Sequence, residues 1–121
     1  MARTTIPVTE LAAYGGVDDD LAYTAGDAVN DHDIVHPGTG DIYLIMKNAS
    51  GSGKTATLVS AASNRTFNRT GDVTLSPSAG EESIVAIPPQ GFIQASDSRV
   101  HIDIADATSV SFACYRALPT P

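Results

Sequence analysis

The chain has 121 residues, with fourteen acidic against seven basic side chains and a formal charge of -7. That is enough for one core burying about 65% of the unfolded surface and too little for two independent domains. Seven Pro and ten Gly, with nine Val, nine Ile and twelve Thr against six Leu, weigh against a helical bundle and favour extended structure. The acidic balance repels a phosphate backbone, which argues against non-specific nucleic-acid binding, and the single cysteine, Cys114, rules out an intrachain disulfide or a Cys-based zinc site.

Residues 1–10 lack the apolar run of a signal peptide, and no stretch approaches the roughly 20 apolar residues of a membrane span, so a soluble, untargeted protein with no membrane partner is expected. Thr4, Thr5, Ile6, Pro7, Val8 and Thr9 read as extended, and Pro7 favours an edge strand or an arm over a central strand. We expect an N-terminal arm over residues 1–14, free to add to another chain, a β domain over 15–118 and a flexible tail over 119–121. Leu11 to Tyr14 offer at most one helical turn before Gly15 and Gly16. A long surface loop is expected from Gly15 to Val29. It carries much of an acidic first third, in which no Lys or Arg lies between Arg3 and Lys47.

From Asp33 onward short apolar runs alternate with turns. Ile34 and Val35 end at the turn His36 to Gly40. Ile42 to Met46 is apolar at every position, which predicts a strand covered on both faces. Thr55 to Val59 follows across a polar Gly/Ser-rich piece that reads as a hairpin connection. Further strands are expected at Asp72 to Leu75, Ser83 to Ile87 and Gly91 to Gln94. Arg99 to Ile104 directs Val100, Ile102 and Ile104 inward, and Ser109 to Arg116 does the same with Val110, Phe112 and Cys114. About eight strands at such spacing, with no segment long enough for a crossover helix, predict an all-β single domain, a β-sandwich or small barrel. Jelly-roll and immunoglobulin-like topologies remain open.

The chemistry-bearing patterns are weak. Ser50-Gly51-Ser52-Gly53-Lys54-Thr55 resembles a phosphate loop, but Asn48 stands where that loop needs its first glycine, and a β-branched run follows where a helix should begin. Asp18, Asp19, Asp20, Asp27, Asp31 and Asp33 offer oxygens that calcium would accept, yet their spacing matches no calcium loop, and a solvated acidic loop is expected. His32 and His36 lie roughly 13 Å apart if the strand is extended, too far to share a metal. They and His101 are expected to be structural or solvent-facing. Cys114 shares the phase of Val110 and Phe112 and is expected to be a buried small hydrophobe. Nothing assembles a catalytic site, so the chain is expected not to be an enzyme and to need no cofactor or metal. The N-x-S/T matches at Asn48, Asn64 and Asn68 are taken as accidents of composition. Candidate contact residues are the strand residues Tyr43 and Ile45, the outward Tyr115, and a small basic spot of Lys54, Arg65 and Arg69 that could meet the aspartates of another copy.

Taken together, Met1 to Thr9, the Asn-Asp-His stretch leading to Ile34 and Val35, Ile42 to Asn48 followed by Lys54 to Leu58, Pro88 to Gln94 followed by Asp97 and Val100 to Asp103, and Val110 to Arg116 resemble the small head-decoration, or capsid cement, proteins of tailed bacteriophages. The resemblance spans nearly the full chain through strand and turn patterns. It implies a β subunit made in the host cytoplasm that sits on the outer capsid surface of the virion, often as a homotrimer. Such a subunit would stabilise the head by clamping neighbouring major capsid proteins. On this reading the arm around Thr4 to Thr9 adds a strand to the capsid or lies in a groove on it, and deleting residues 1–10 should abolish binding and leave the fold intact. The alternatives are a phage tail or fibre accessory module, and a calcium- or glycan-binding module.

Overall fold

The computed structural model describes residues 2–11, 22–61, 71–89 and 91–117. Ten strands form among them: β1 (Thr4–Thr5), β2 (Val8–Leu11), β3 (Thr24–Ala25), β4 (His32–Ile34), β5 (Ile42–Asn48), β6 (Ala56–Leu58), β7 (Val73–Leu75), β8 (Glu82–Ile87), β9 (Val100–Ile104) and β10 (Val110–Ala117). They make two sheets, one in the order β1-β4-β9-β6-β7 and the other in the order β2-β10-β5-β8, with β3 also on β10. The sheets pack face to face as a β-sandwich around one apolar core.

The period-two pattern accounts for that core. Val100, Ile102 and Ile104 of β9 face Leu44, Met46, Phe112 and Cys114 from the other sheet in one buried cluster. Phe92 and Phe112 are its largest fully buried side chains. Truncating a buried Phe to Ala typically costs about 3–5 kcal/mol. β5 lies between β10 and β8 and pairs antiparallel with both, as the unbroken apolar run predicts.

The N-terminal residues form extended edge strands, one of the two readings that Pro7 allows, and depart from the expectation of a free arm. β1 pairs in parallel with β4, and β2 in parallel with β10, so the segment belongs to both sheets of its own domain and is not a free arm. The crossing between sheets falls at Ile6 and Pro7. Ile6 is fully buried, and its amide donates to the Asp33 carbonyl at 2.9 Å. Pro7, which has no N–H to place in a ladder, sits exposed where the chain changes sheets. The β domain therefore begins at Thr4, and Leu11 ends a strand instead of starting a helical turn.

Three further differences are local. The piece from Ala49 to Thr55 is no hairpin, because β5 and β6 lie in different sheets. Residues 91–94 contribute only a bridge from Ile93 to Val100, while Phe92 plugs the core. Within the expected 15–29 loop, Thr24 and Ala25 pair with Phe112 and Ser111. This brings Gly26 so close to the β9–β10 turn that a Cβ there would meet Ala107 Cβ at 2.8 Å.

Candidate functional site

The register of the second sheet assembles its outer face in rows. Core-facing Leu44, Met46 and Cys114 leave Tyr43, Ile45, Lys47, Ala113 and Tyr115 on the opposite side. One row runs Thr9, Tyr115, Tyr43, Ala86; the next runs Ala113, Ile45, Ile84; a third runs Ser111, Lys47, Glu82. Tyr43 and Tyr115 stack with ring centroids 5.2 Å apart at 23°. Tyr23 lies over the third row, its hydroxyl donating to Glu82 at 3.1 Å and its ring 5.3 Å from Lys47 Nζ.

This geometry sorts the expected contact residues. Tyr43, Tyr115 and Thr9 do come together, half-buried, on one face. Ile45 shares that face but is only 7% exposed, so it supports the surface without presenting itself. Thr4, Thr5, Ile6 and Val8 are used internally: Thr4 Oγ1 donates to Asp27, Thr5 Oγ1 donates to Asp33, and Ile6 and Val8 pack in or against the core. Arg65 and Arg69 lie outside the described residues, as do Asp18, Asp19 and Asp20. Lys54 is not an open basic site, since its ammonium meets Asp106 at 2.8 Å. That bond, together with the Thr108 amide, holds the Asp106 carboxyl down at about 2.

The residue that sequence reasoning passed over is Ile84, 63% exposed at the middle of edge strand β8. Its signal was present. Val85 and Ile87 take the inward phase of Glu82 to Ile87, leaving Ile84 an aliphatic residue on the outward one.

The acidic and histidine residues are committed to holding loops. Asp27 accepts from Thr4 Oγ1 at 2.6 Å, from the amides of Val29 and Asn30 and from the Asn30 side chain, and these bonds, Thr4 first, hold its carboxyl well below the usual range. Asp31, at φ 60°, accepts from the Ile104 amide. Asp33, nearly buried on the outer face of the first sheet, takes Thr5 Oγ1 at 2.6 Å and Arg99 at 3.1 Å. Among the described residues no group of three or more His, Cys, Asp or Glu is set to hold a metal ion.

His32 and His36 are both buried. The Asp27 amide donates to His32 Nε2 at 2.9 Å, which leaves Nδ1–H to donate to the Thr4 carbonyl at 3.1 Å. The His36 tautomer is the opposite: Gly38 N–H donates to Nδ1 and Nε2–H donates to the Ile87 carbonyl. Burial lowers the His32 pKa, outweighing the raising influence of the Thr4 carbonyl and the nearby aspartates.

On the outer face of the first sheet, an open groove of ≈ 570 Å³ is lined by Ala2, Arg3, Asp33, Asp97, Arg99 and His101. Its charges cancel in pairs: Arg3 with Asp103 at 2.6 Å, Arg99 with Asp33 at 3.1 Å and His101 with Asp97 at 2.7 Å. At Asp97 burial pushes the pKa up, but the His101 and Arg99 bonds outweigh it and leave the carboxyl lowered. Paired in this way, the two arginines make no concentrated positive site.

The phosphate-loop-like string is a clasp. Buried Asn48 Nδ2 donates to the carbonyls of Ser52, Pro77 and Ser78 at 2.7–3.2 Å, while its Oδ1 accepts from Ser50 N–H and Oγ. One side chain thus ties together two of the loops that carry the chain between sheets. Cys114 is fully buried, and burial pushes its thiol up to about 12, far from a reactive thiolate. A comparison of the chain with protein-family models, with curated proteins and with solved structures finds no match.

Proposed function

We propose that this chain is a structural virion protein that binds the outer surface of a tailed-phage capsid and stabilises contacts between major capsid proteins. The observation that carries the reading is that most of the described acids, the histidines, the thiol and the buried amide are used in internal bonds or burial. What remains for a partner to recognise is shape and apolar surface on a rigid sandwich. The outer face of the second sheet, with stacked Tyr43 and Tyr115 beside Thr9 and Ala86, supplies such a surface, and aromatic residues with one polar end suit an interface. Strand donation by Thr4 to Thr9 is no part of this proposal, because those residues are paired within the domain. Stabilisation of the shell would follow from mass action of many copies binding the assembled lattice. If the protein is a trimer, weak single contacts would add through multivalency.

The test is co-sedimentation with undecorated shells of the cognate phage. Wild-type protein is expected to saturate the shells, and Tyr115→Arg, which puts a charge on the exposed side of the stack, is expected to weaken binding about 10–100-fold with an unchanged melting temperature. Shells that take up no wild-type protein would overturn the proposal. Undiminished binding of Tyr115→Arg would exclude the tyrosine face as the contact.

A further inference from the structure

The four sheet edges are unequal. The first sheet ends in β1 and β7, strands of two and three residues. The second ends on one side in β2, four residues long, and on the other in β8, six residues long. β8 pairs with β5 in unbroken register from Glu82 to Ile87, without the bulge, lysine or internal proline that commonly protects an edge. The bond from Asn48 N–H to the Glu81 carbonyl fixes the alternation: Ser83, Val85 and Ile87 exchange bonds with β5. The N–H and C=O groups of Glu82, Ile84 and Ala86 therefore point to the open side, and among the described residues none of them has a backbone partner there. At the centre of this row stands Ile84, 63% exposed.

We infer that the open edge of β8 is an interaction surface for the β8 edge of a second copy, joined antiparallel about a two-fold axis through Ile84. The strand is self-complementary in that register. Ile84 faces its own copy, Ser83 falls opposite Val85, and Glu82 falls opposite Ala86, so no acid opposes an acid. The two Glu82 side chains lie roughly 13 Å apart along the strand, beyond the ~8 Å screening length at physiological salt. The pairing also extends the row Ala113, Ile45, Ile84 into its copy, making one apolar band across the joined sheets. Six residues of strand bury less than the ~1,600 Å² of a standard interface. The dimer is therefore weak and concentration-dependent in free solution, which suits a contact used among copies held close together. It does not require the capsid reading.

Sedimentation equilibrium of the full chain, over about 10 μM to 1 mM, reads the association directly. Wild type is expected to pass from monomer to dimer across that range. Ile84→Pro removes only an outward N–H and so spares the β5 ladder, and Ile84→Lys protects the edge electrostatically. Each is expected to raise the dissociation constant at least about tenfold with the melting transition retained. Under oxidising conditions Ile84→Cys is expected to cross-link to a disulfide dimer faster than Glu82→Cys, because only residue 84 meets its own copy. A wild-type chain that stays monomeric at 1 mM would overturn the inference whether or not the variants fold. So would an association that both Ile84 variants leave intact, or equal cross-linking from positions 82 and 84.

Discussion

His32 ties three parts of the chain with one ring. It receives the Asp27 amide, donates to the Thr4 carbonyl and packs 4.9 Å from the Phe112 ring centroid. Both bonds require the neutral δ-tautomer, because a proton on Nε2 would confront the Asp27 N–H. Burial keeps the folded-state pKa below the unfolded value of about 6.5. The unfolded chain therefore binds the proton first as pH falls, and stability must decline below about pH 6.5 until the folded pKa is reached. The slope contributed by this one group is at most about 1.4 kcal/mol per pH unit. Urea unfolding at pH 7.5 and 5.5 should show the decline, and His32→Asn, which keeps a donor toward Thr4 without a titrating ring, should flatten it. An equal decline in the variant would assign the effect elsewhere. Sequence left the two histidines as structural or solvent-facing, and burial decides for the structural reading. Sequence did not indicate that burial, because Asp31 and Asp33 on either side of His32 suggest an exposed stretch, and the bonds from Ile104 N–H, Thr5 and Arg99 that satisfy those aspartates come from remote parts of the chain.

At the scale of elements, local patterning revealed those strands whose alternation is self-contained. β9 and β10 place Val100, Ile102, Ile104, Val110, Phe112 and Cys114 inward as their phase requires, and β5 is central as its unbroken apolar run requires. Pairing partners were less legible. A polar stretch between two strands reads the same whether it closes a hairpin or crosses between sheets, and the pairing of β6 with β7 and β9 reveals the crossing. The N-terminal residues read correctly as extended edge segments, but their pairing within the domain is illegible for a related reason. Parallel pairing of β1 with β4 and β2 with β10 leaves no local signature, and Pro7 suggests an arm when it marks a change of sheet. Ile6→Ala is accordingly expected to destabilise the domain by about 2–5 kcal/mol in urea unfolding. Deleting residues 1–10 should abolish the cooperative transition, where a free arm would leave it unchanged. For the candidate surface, Tyr43 is legible from its unbroken apolar run, and Tyr115 and Ile84 from their outward phase, whereas the edge position of β8 is not.

As a whole, the molecule is an acidic sandwich whose described polar groups are largely spent on fixing its own loops and whose second sheet offers an aromatic outer face and, among the described residues, an open edge. A net charge of -7 suits a position away from nucleic acid, and the proposed tyrosine-face and β8-edge contacts adjoin at Ala86. Sandwiches host many unrelated functions, so fold alone does not choose among them. The proposed structural binding role rests on the internal use of the described reactive groups. The most direct measurement is cryo-electron microscopy of undecorated phage shells incubated with saturating protein. Capsid binding predicts added density on the outer surface at repeated lattice positions, into which this sandwich fits with its Tyr43 and Tyr115 face toward the major capsid protein. Shells that emerge without added density would contradict it.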